Sequence, residues 1–193
     1  NLYTTSAPIL MLLTTSITTP IVEEGIFRLG ISKIIKNKYL FIITSGIFFG
    51  FLHIFPTDLN IVYALINSIP YVTMGMVLAY IYKKEDNIYY PMILHGLNNF
   101  ISMISSFALE KIKKYIFEYF DESGIYISNE EKEKDIDLRD YLVDSLEHVT
   151  FIIELEKKLG YELPDEILLY DNLSSIYGFI NMLIEIKKDD KNM

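Results

Sequence analysis

Residues 18–30 read TTPIVEEGIFRLG. The adjacent acids Glu23 and Glu24 close a run with no charged residue from Asn1 to Val22, and Arg28 follows one helical turn later. Two architectures could place charges there: a soluble helical core with an acidic edge, or a membrane span with ionisable groups inside it. The rest of the first half favours the span. A bilayer core takes about 20 mostly apolar residues per helix. Four stretches approach that length: Leu2 to Leu29 with its acids, Tyr39–Phe55, Leu59–Tyr82 and Ile88–Leu109. Pro8, Pro20 and Pro70 fall inside these stretches, which a bilayer helix tolerates when neighbours satisfy the freed carbonyls.

Charge divides the 193 residues in two. Up to residue 104 there are five acids (Glu23, Glu24, Asp58, Glu85, Asp86) and six bases (Arg28, Lys33, Lys36, Lys38, Lys83, Lys84). The other 21 of the 26 acids and 11 of the 17 bases lie beyond it. Such asymmetry marks two units with different surroundings. The acidic half would repel phosphates, so no nucleic-acid partner is expected. The absence of cysteine excludes disulfides, thiolate metal sites and cysteine nucleophiles.

After Glu110 the pattern is soluble and helical. LEKIKKYIFEYF predicts a helix over about 107–120. A charged stretch from Asp121 to Val143 reads as a long loop. DSLEHVTFIIELEKKLG predicts a second helix closed by Gly160, Pro164 opens a short third one, and LSSIYGFINMLIEIKK is the last. The expected fold is all-α: a four-span membrane helical bundle, residues 1–106, followed by a small four-helix domain, residues 107–193. The bundle is read as N-terminally truncated, because the chain opens on Asn.

The polar groups kept in the apolar half are Glu23, Glu24, Arg28, His53, His95, Asn98 and Asn99. Ionisable groups at membrane depth are costly and usually face a bundle interior or a wet cavity. Glu24 and Arg28 share a helix face in the acid-first order that favours a pair, and His95 and Asn99 share another. A carboxylate there can exchange a proton with water that attacks a peptide carbonyl. Imidazoles can hold that water or a divalent metal such as zinc, with His53 and His95 the candidate ligands. An amide or imidazole donor can stabilise the oxyanion.

EEGIFR fits an EExxxR pattern, FGFLH from Phe49 to His53 fits FxxxH, and HGLNN from His95 to Asn99 fits HxxxN. In that order on hydrophobic helices they resemble the CPBP family of type II CAAX prenyl proteases and bacteriocin-processing or self-immunity relatives, over about residues 5–105. The resemblance implies an intramembrane endopeptidase. Glu23 would activate water, Glu24 and Arg28 would support it, and His53, His95 and Asn99 would hold the water or metal and stabilise the intermediate. The substrate would be a membrane-proximal peptide.

In the second half, Asp144-Ser145-Leu146, the helix after it and LPDE resemble acyl carrier proteins over about 107–188. The resemblance implies a 4′-phosphopantetheine arm on Ser145, installed by a phosphopantetheinyl transferase and charged by acyl-loading enzymes. Glu147, Glu154 and Glu156 would meet basic patches on those partners. Carriers usually show glycine two or three residues before the serine, where Leu142 and Val143 stand here. His148 is read as a surface residue. The expected location is the cell membrane, multi-pass among its lipids, with the carrier cytoplasmic. Lysine-rich connections favour the cytoplasmic side, yet four full crossings would put the carrier on the other face. The rival readings are a membrane-anchored carrier with inert spans and a bacteriocin immunity protein.

Overall fold

A computed structural model describes residues 7–54 and 60–189. The far ends of the expected spans at Leu2, Phe55 and Leu59 therefore lie outside the described residues. The chain divides into two compact units between Met103 and Ile104.

The first unit holds α1 (Pro8–Ile34), α2 (Lys38–Ile54), α3 (Ile61–Glu85) and the first part of α4 (Tyr89–Glu122). Among the described residues, α1, α3 and α4 are long and apolar enough to cross a membrane. The expected second span forms α2, whose 17 residues rise about 25 Å, short of a hydrocarbon core of about 30 Å. The packing is inverted relative to a water-soluble bundle. Ile9, Ile17, Phe48, Leu65 and Ile93 are exposed, whereas Glu24, Arg28, Ser45 and His95 are buried. Lipid in place of water is the solvent that makes such a surface stable.

α1 is not a uniform helix. Two π-helical segments, Thr14–Thr18 and Gly25–Gly30, flank the α-helical stretch Thr19–Glu24. Pro20 has no N–H for the carbonyl four residues earlier, and that Ser16 carbonyl is packed under Gly96 of α4, where a Cβ would sit 2.5 Å from the oxygen. Gly46 and Gly75 bring α2 and α3 together, since a Cβ on Gly75 would lie 3.0 Å from the Gly46 Cα. Close approach over small residues is how apolar helices gain packing energy in lipid.

The second unit takes the rest of α4, then α5 (Asn129–Lys132), α6 (Ser145–Leu159) and α7 (Ile176–Asp189). The expected fourth span and the helix expected over about 107–120 form one continuous helix. FISMISSFALEKIKKYIF contains neither Gly nor Pro, so nothing ends the helix where its surface changes from apolar to charged. The expected long loop carries α5, opened by a reciprocal capping box between Ser128 and Glu131. It also carries a 3-10 turn at Leu138–Asp140. The helix expected after Pro164 is replaced by a hydrogen-bonded turn and a 3-10 segment, Tyr170–Ser174. There the Asn172 amide donates to the Glu166 carbonyl at 2.8 Å, holding the backbone out of α geometry. Phe120, Phe151 and Phe179 anchor the core with Leu138, Leu142, Leu173 and Ile180. The Phe120 and Phe151 rings stack 5.9 Å apart.

Candidate functional site

Three helices of the first unit bring the motif residues together. α1 supplies Glu23, Glu24 and Arg28, α2 supplies His53, and α4 supplies His95. Arg28 Nε lies 2.8 Å from Glu24 Oε2, with both side chains fully buried. Among the described residues neither atom has a hydrogen-bond partner, so the contact is an ion pair held by charge. The guanidinium also donates through Nη2 to the Gly75 carbonyl (3.4 Å) and lies over the Phe49 ring at 5.2 Å. The other Glu24 oxygen lies 3.0 Å from His95 Nδ1.

The protonation pattern follows from the partners. Glu24, paired with Arg28, is a carboxylate and only accepts, so His95 Nδ1 carries the hydrogen it faces. His53 Nδ1 lies 2.8 Å from the Phe49 carbonyl, which also only accepts, so that nitrogen too is the donor. In the neutral rings both Nε2 atoms are then bare lone pairs. They face one oxygen, Glu23 Oε2, at 3.7 Å from His95 and 3.9 Å from His53. That oxygen is buried and takes no hydrogen bond among the described residues. With both rings neutral, three acceptors point at one place and repel unless a donor lies between them, and the spacings exceed a direct hydrogen bond. Glu23 and His53 side chains are 23% and 27% exposed, while Glu24, Arg28 and His95 are sealed. The Glu23 side chain is therefore partly open, with its Oε2 turned inward, and its neighbour is locked.

Phe49 explains the first residue of FxxxH. Its carbonyl sets the His53 tautomer, its ring packs on His53 at 4.3 Å and on His95 at 5.4 Å, and it carries Arg28. Tyr71, which sequence reasoning missed, stacks on His53 at 4.8 Å. No periodicity on α3 marked it. Asn99 stands elsewhere: its amide donates to the Thr15 carbonyl at 3.1 Å, inside the first π segment of α1. Asn98 donates to Met74 Sδ. Among the described residues, no group of three His, Asp or Glu side chains is arranged to hold a metal ion.

In the second unit, Ser145 is the first residue of α6 and Asp144, not Ser145, is its N-cap. The Asp144 carboxylate accepts from Glu147 N–H at 2.8 Å, and Glu147 returns a bond to Val143 N–H at 3.0 Å. Ser145 is exposed, and among the described residues no hydrogen bond engages its hydroxyl. It stands at the positive end of a 15-residue helix, which suits a phosphodiester there. Leu142 is fully buried, so the residue at one of the two glycine positions pins the loop into the core, while Val143 points out.

The structure adds partners to two groups of residues at this site. His148 is not simply a surface group: its ring meets Tyr170 at 5.7 Å, its Nε2 is buried without a partner among the described residues, and burial pushes the imidazole below its ordinary value. The docking carboxylates also have internal partners. Glu147 caps Val143, Glu154 meets Lys157 at 2.5 Å, and Glu156 accepts from Leu163 N–H at 2.7 Å. The surface beside Ser145 also carries exposed apolar side chains, Val143, Leu146, Val149 and Ile153.

Residues 5–101 match the family described as type II CAAX prenyl endopeptidase Rce1-like. Residues 125–182 match the phosphopantetheine attachment site family. An uncharacterized protein of Mycoplasma capricolum subsp. capricolum is 35% identical over 107 residues, covering 54% of this chain and 30% of the relative. The chain thus spans less than a third of that relative's length. No solved structure matches.

Proposed function

The chain belongs to the type II CAAX prenyl endopeptidase Rce1-like family, and on that premise we propose that its first half, residues 1–106, cleaves a membrane-proximal peptide by water activated at Glu23. The second half, residues 107–193, carries a 4′-phosphopantetheine arm on Ser145. The observation that supports the protease reading is the set of three acceptors, Glu23 Oε2 and the two imidazole Nε2 atoms, facing one buried place. A water there donates its hydrogens to acceptors and keeps a lone pair for a carbonyl carbon. Glu23 takes a proton as the oxygen adds, and returns it to the amine as the C–N bond breaks. Glu24 and Arg28 hold His95 and keep its tautomer. Asn99 contributes by holding Thr15, one turn before the acids, rather than by meeting the oxyanion.

A divalent ion such as zinc is the second reading; the Nε2 atoms of His53 and His95 would hold it, with no third His, Asp or Glu among the described residues arranged to complete the set. It would supply Lewis-acid polarisation of the carbonyl. Cleavage of a prenylated Cys-a-a-X peptide by the full chain, with and without 1,10-phenanthroline, separates the two. Glu23→Gln, His53→Ala and His95→Ala should each abolish cleavage while the protein still accumulates. Undiminished cleavage in all three removes the protease reading and leaves a membrane-anchored carrier or an immunity protein.

The carrier reading is supported by a Ser145 hydroxyl left free because Asp144 does the capping. Intact mass after coexpression with a phosphopantetheinyl transferase should rise by one arm, and not in Ser145→Ala. We place the carrier in the cytoplasm, where coenzyme A is the arm donor. The chain has no cysteine, so Tyr126→Cys, at a side chain 85% exposed, tests this directly. In intact cells it should escape a membrane-impermeant maleimide.

A further inference from the structure

Hydroxyl side chains inside apolar helices usually bond back to their own helix. Thr14, Ser68 and Thr73 do so here, to the carbonyls of Leu10, Leu65 and Ile69. Ser45 does not. Fully buried on α2, it donates across to α1, to the Phe27 carbonyl at 3.1 Å. Phe27 lies in the π segment Gly25–Gly30, whose next residue is Arg28. π segments are rare, occur mostly as single-turn bulges inside α-helices and are frequent at functional sites. The segment at Thr14–Thr18 has a matching clamp, Asn99 on the Thr15 carbonyl. The α-helical stretch carrying both acids is thus held at each end by a polar side chain from a different helix.

We propose that Ser45 is a positioning residue of the membrane site: its bond to the Phe27 carbonyl keeps the π segment wound so that Arg28, braced by the Gly75 carbonyl and the Phe49 ring, holds Glu24 against His95. Relaxation of Gly25–Gly30 to α-helix turns every following side chain about the axis and takes the guanidinium off the Gly75 carbonyl and the Phe49 ring, the contacts from other helices that fix it over Glu24. Glu24 then loosens its hold on His95, whose protection and tautomer depend on that contact. The inference rests on the catalytic reading of Glu23, Glu24, Arg28, His53 and His95, and it reaches a residue outside all three motifs.

The test uses the full chain in detergent micelles and two readouts. The first is carbethoxylation by diethyl pyrocarbonate, followed by mass spectrometry. In wild type His53, 27% exposed, is modified and His95, 2% exposed, is spared. Ser45→Ala should raise modification of His95 by about tenfold, and Ser45→Thr, which keeps the hydroxyl, should restore protection. Ser68→Ala, which removes a hydroxyl bonded within its own helix, should leave His95 protected. The second readout is cleavage of the prenylated peptide, where Ser45→Ala should lower kcat by about tenfold at unchanged KM. If Ser45→Ala does not accumulate, Ser45→Cys, with a similar volume and a weaker donor, is read in its place. The proposal is overturned if His95 stays protected in Ser45→Ala, if Ser45→Thr behaves like alanine, or if Ser68→Ala exposes His95 equally. A wild type that cleaves nothing refutes the protease reading instead, and the labelling alone then decides the role of Ser45.

Discussion

His95 Nδ1 meets Glu24 Oε1 at 3.0 Å across 71 residues of sequence. This contact joins the EExxxR and HxxxN motifs and divides the two adjacent acids by task. Glu24 is sealed between Arg28 and His95, while Glu23 faces the two bare imidazole nitrogens and its side chain remains partly open.

The Glu24–Arg28 pair should behave as a structural unit. Arg28→Met leaves a buried carboxylate without its counter-ion, which costs about 3–5 kcal/mol. Protein accumulation in membranes should fall sharply. Glu24→Gln combined with Arg28→Met removes both charges and should recover accumulation but not cleavage, because His95 loses its orienting carboxylate. Equal loss in single and double variants would show that the two charges act separately.

Asn99→Ala should slow cleavage by about tenfold rather than abolish it, since the amide supports a carbonyl of α1 and reaches the acids only through the backbone. Gly96→Ala should be worse for accumulation, because the added methyl would meet the Ser16 carbonyl at 2.5 Å. A complete loss of kcat in Asn99→Ala with normal accumulation would point to direct contact with the reacting group.

At the carrier site, capping and modification should separate. Asp144→Ala removes the N-cap of α6 and should cost about 1 kcal/mol, read as a lower unfolding midpoint of the second unit. Ser145→Ala should leave that midpoint almost unchanged while abolishing the mass gain. The reverse result would make Ser145 the cap and remove its claim to the arm.

Docking beside Ser145 should be apolar. Leu146→Ser and Val149→Ser should raise KM for phosphopantetheinyl transfer by about tenfold, since each removes large exposed apolar surface. Glu154→Gln should change it little, and the rate should hardly vary between low and moderate salt, where a charge-led encounter would slow. A steep salt dependence would restore the acidic face as the determinant.

Much of this was legible in the chain itself. Uncharged runs of span length require helices in lipid, because backbone groups there must bond internally. The three motifs named the elements that meet, since a charge or imidazole inside such a run needs a partner. Asp144 and Ser145 before an amphipathic run marked the start of α6. Other features depended on contacts between distant residues. The π segments arise where Pro20 and neighbouring helices compete with local hydrogen bonding. The uninterrupted α4 reflects the absence of a stop signal, which a change in composition concealed. The tautomers of His53 and His95, the locking of Glu24 against the openness of Glu23, and the clamps from Ser45 and Asn99 were decided only by tertiary structure. Spacing along one helix tells which side chains share a face, whereas a proton's place on a ring is set by whichever acceptor another helix brings against it.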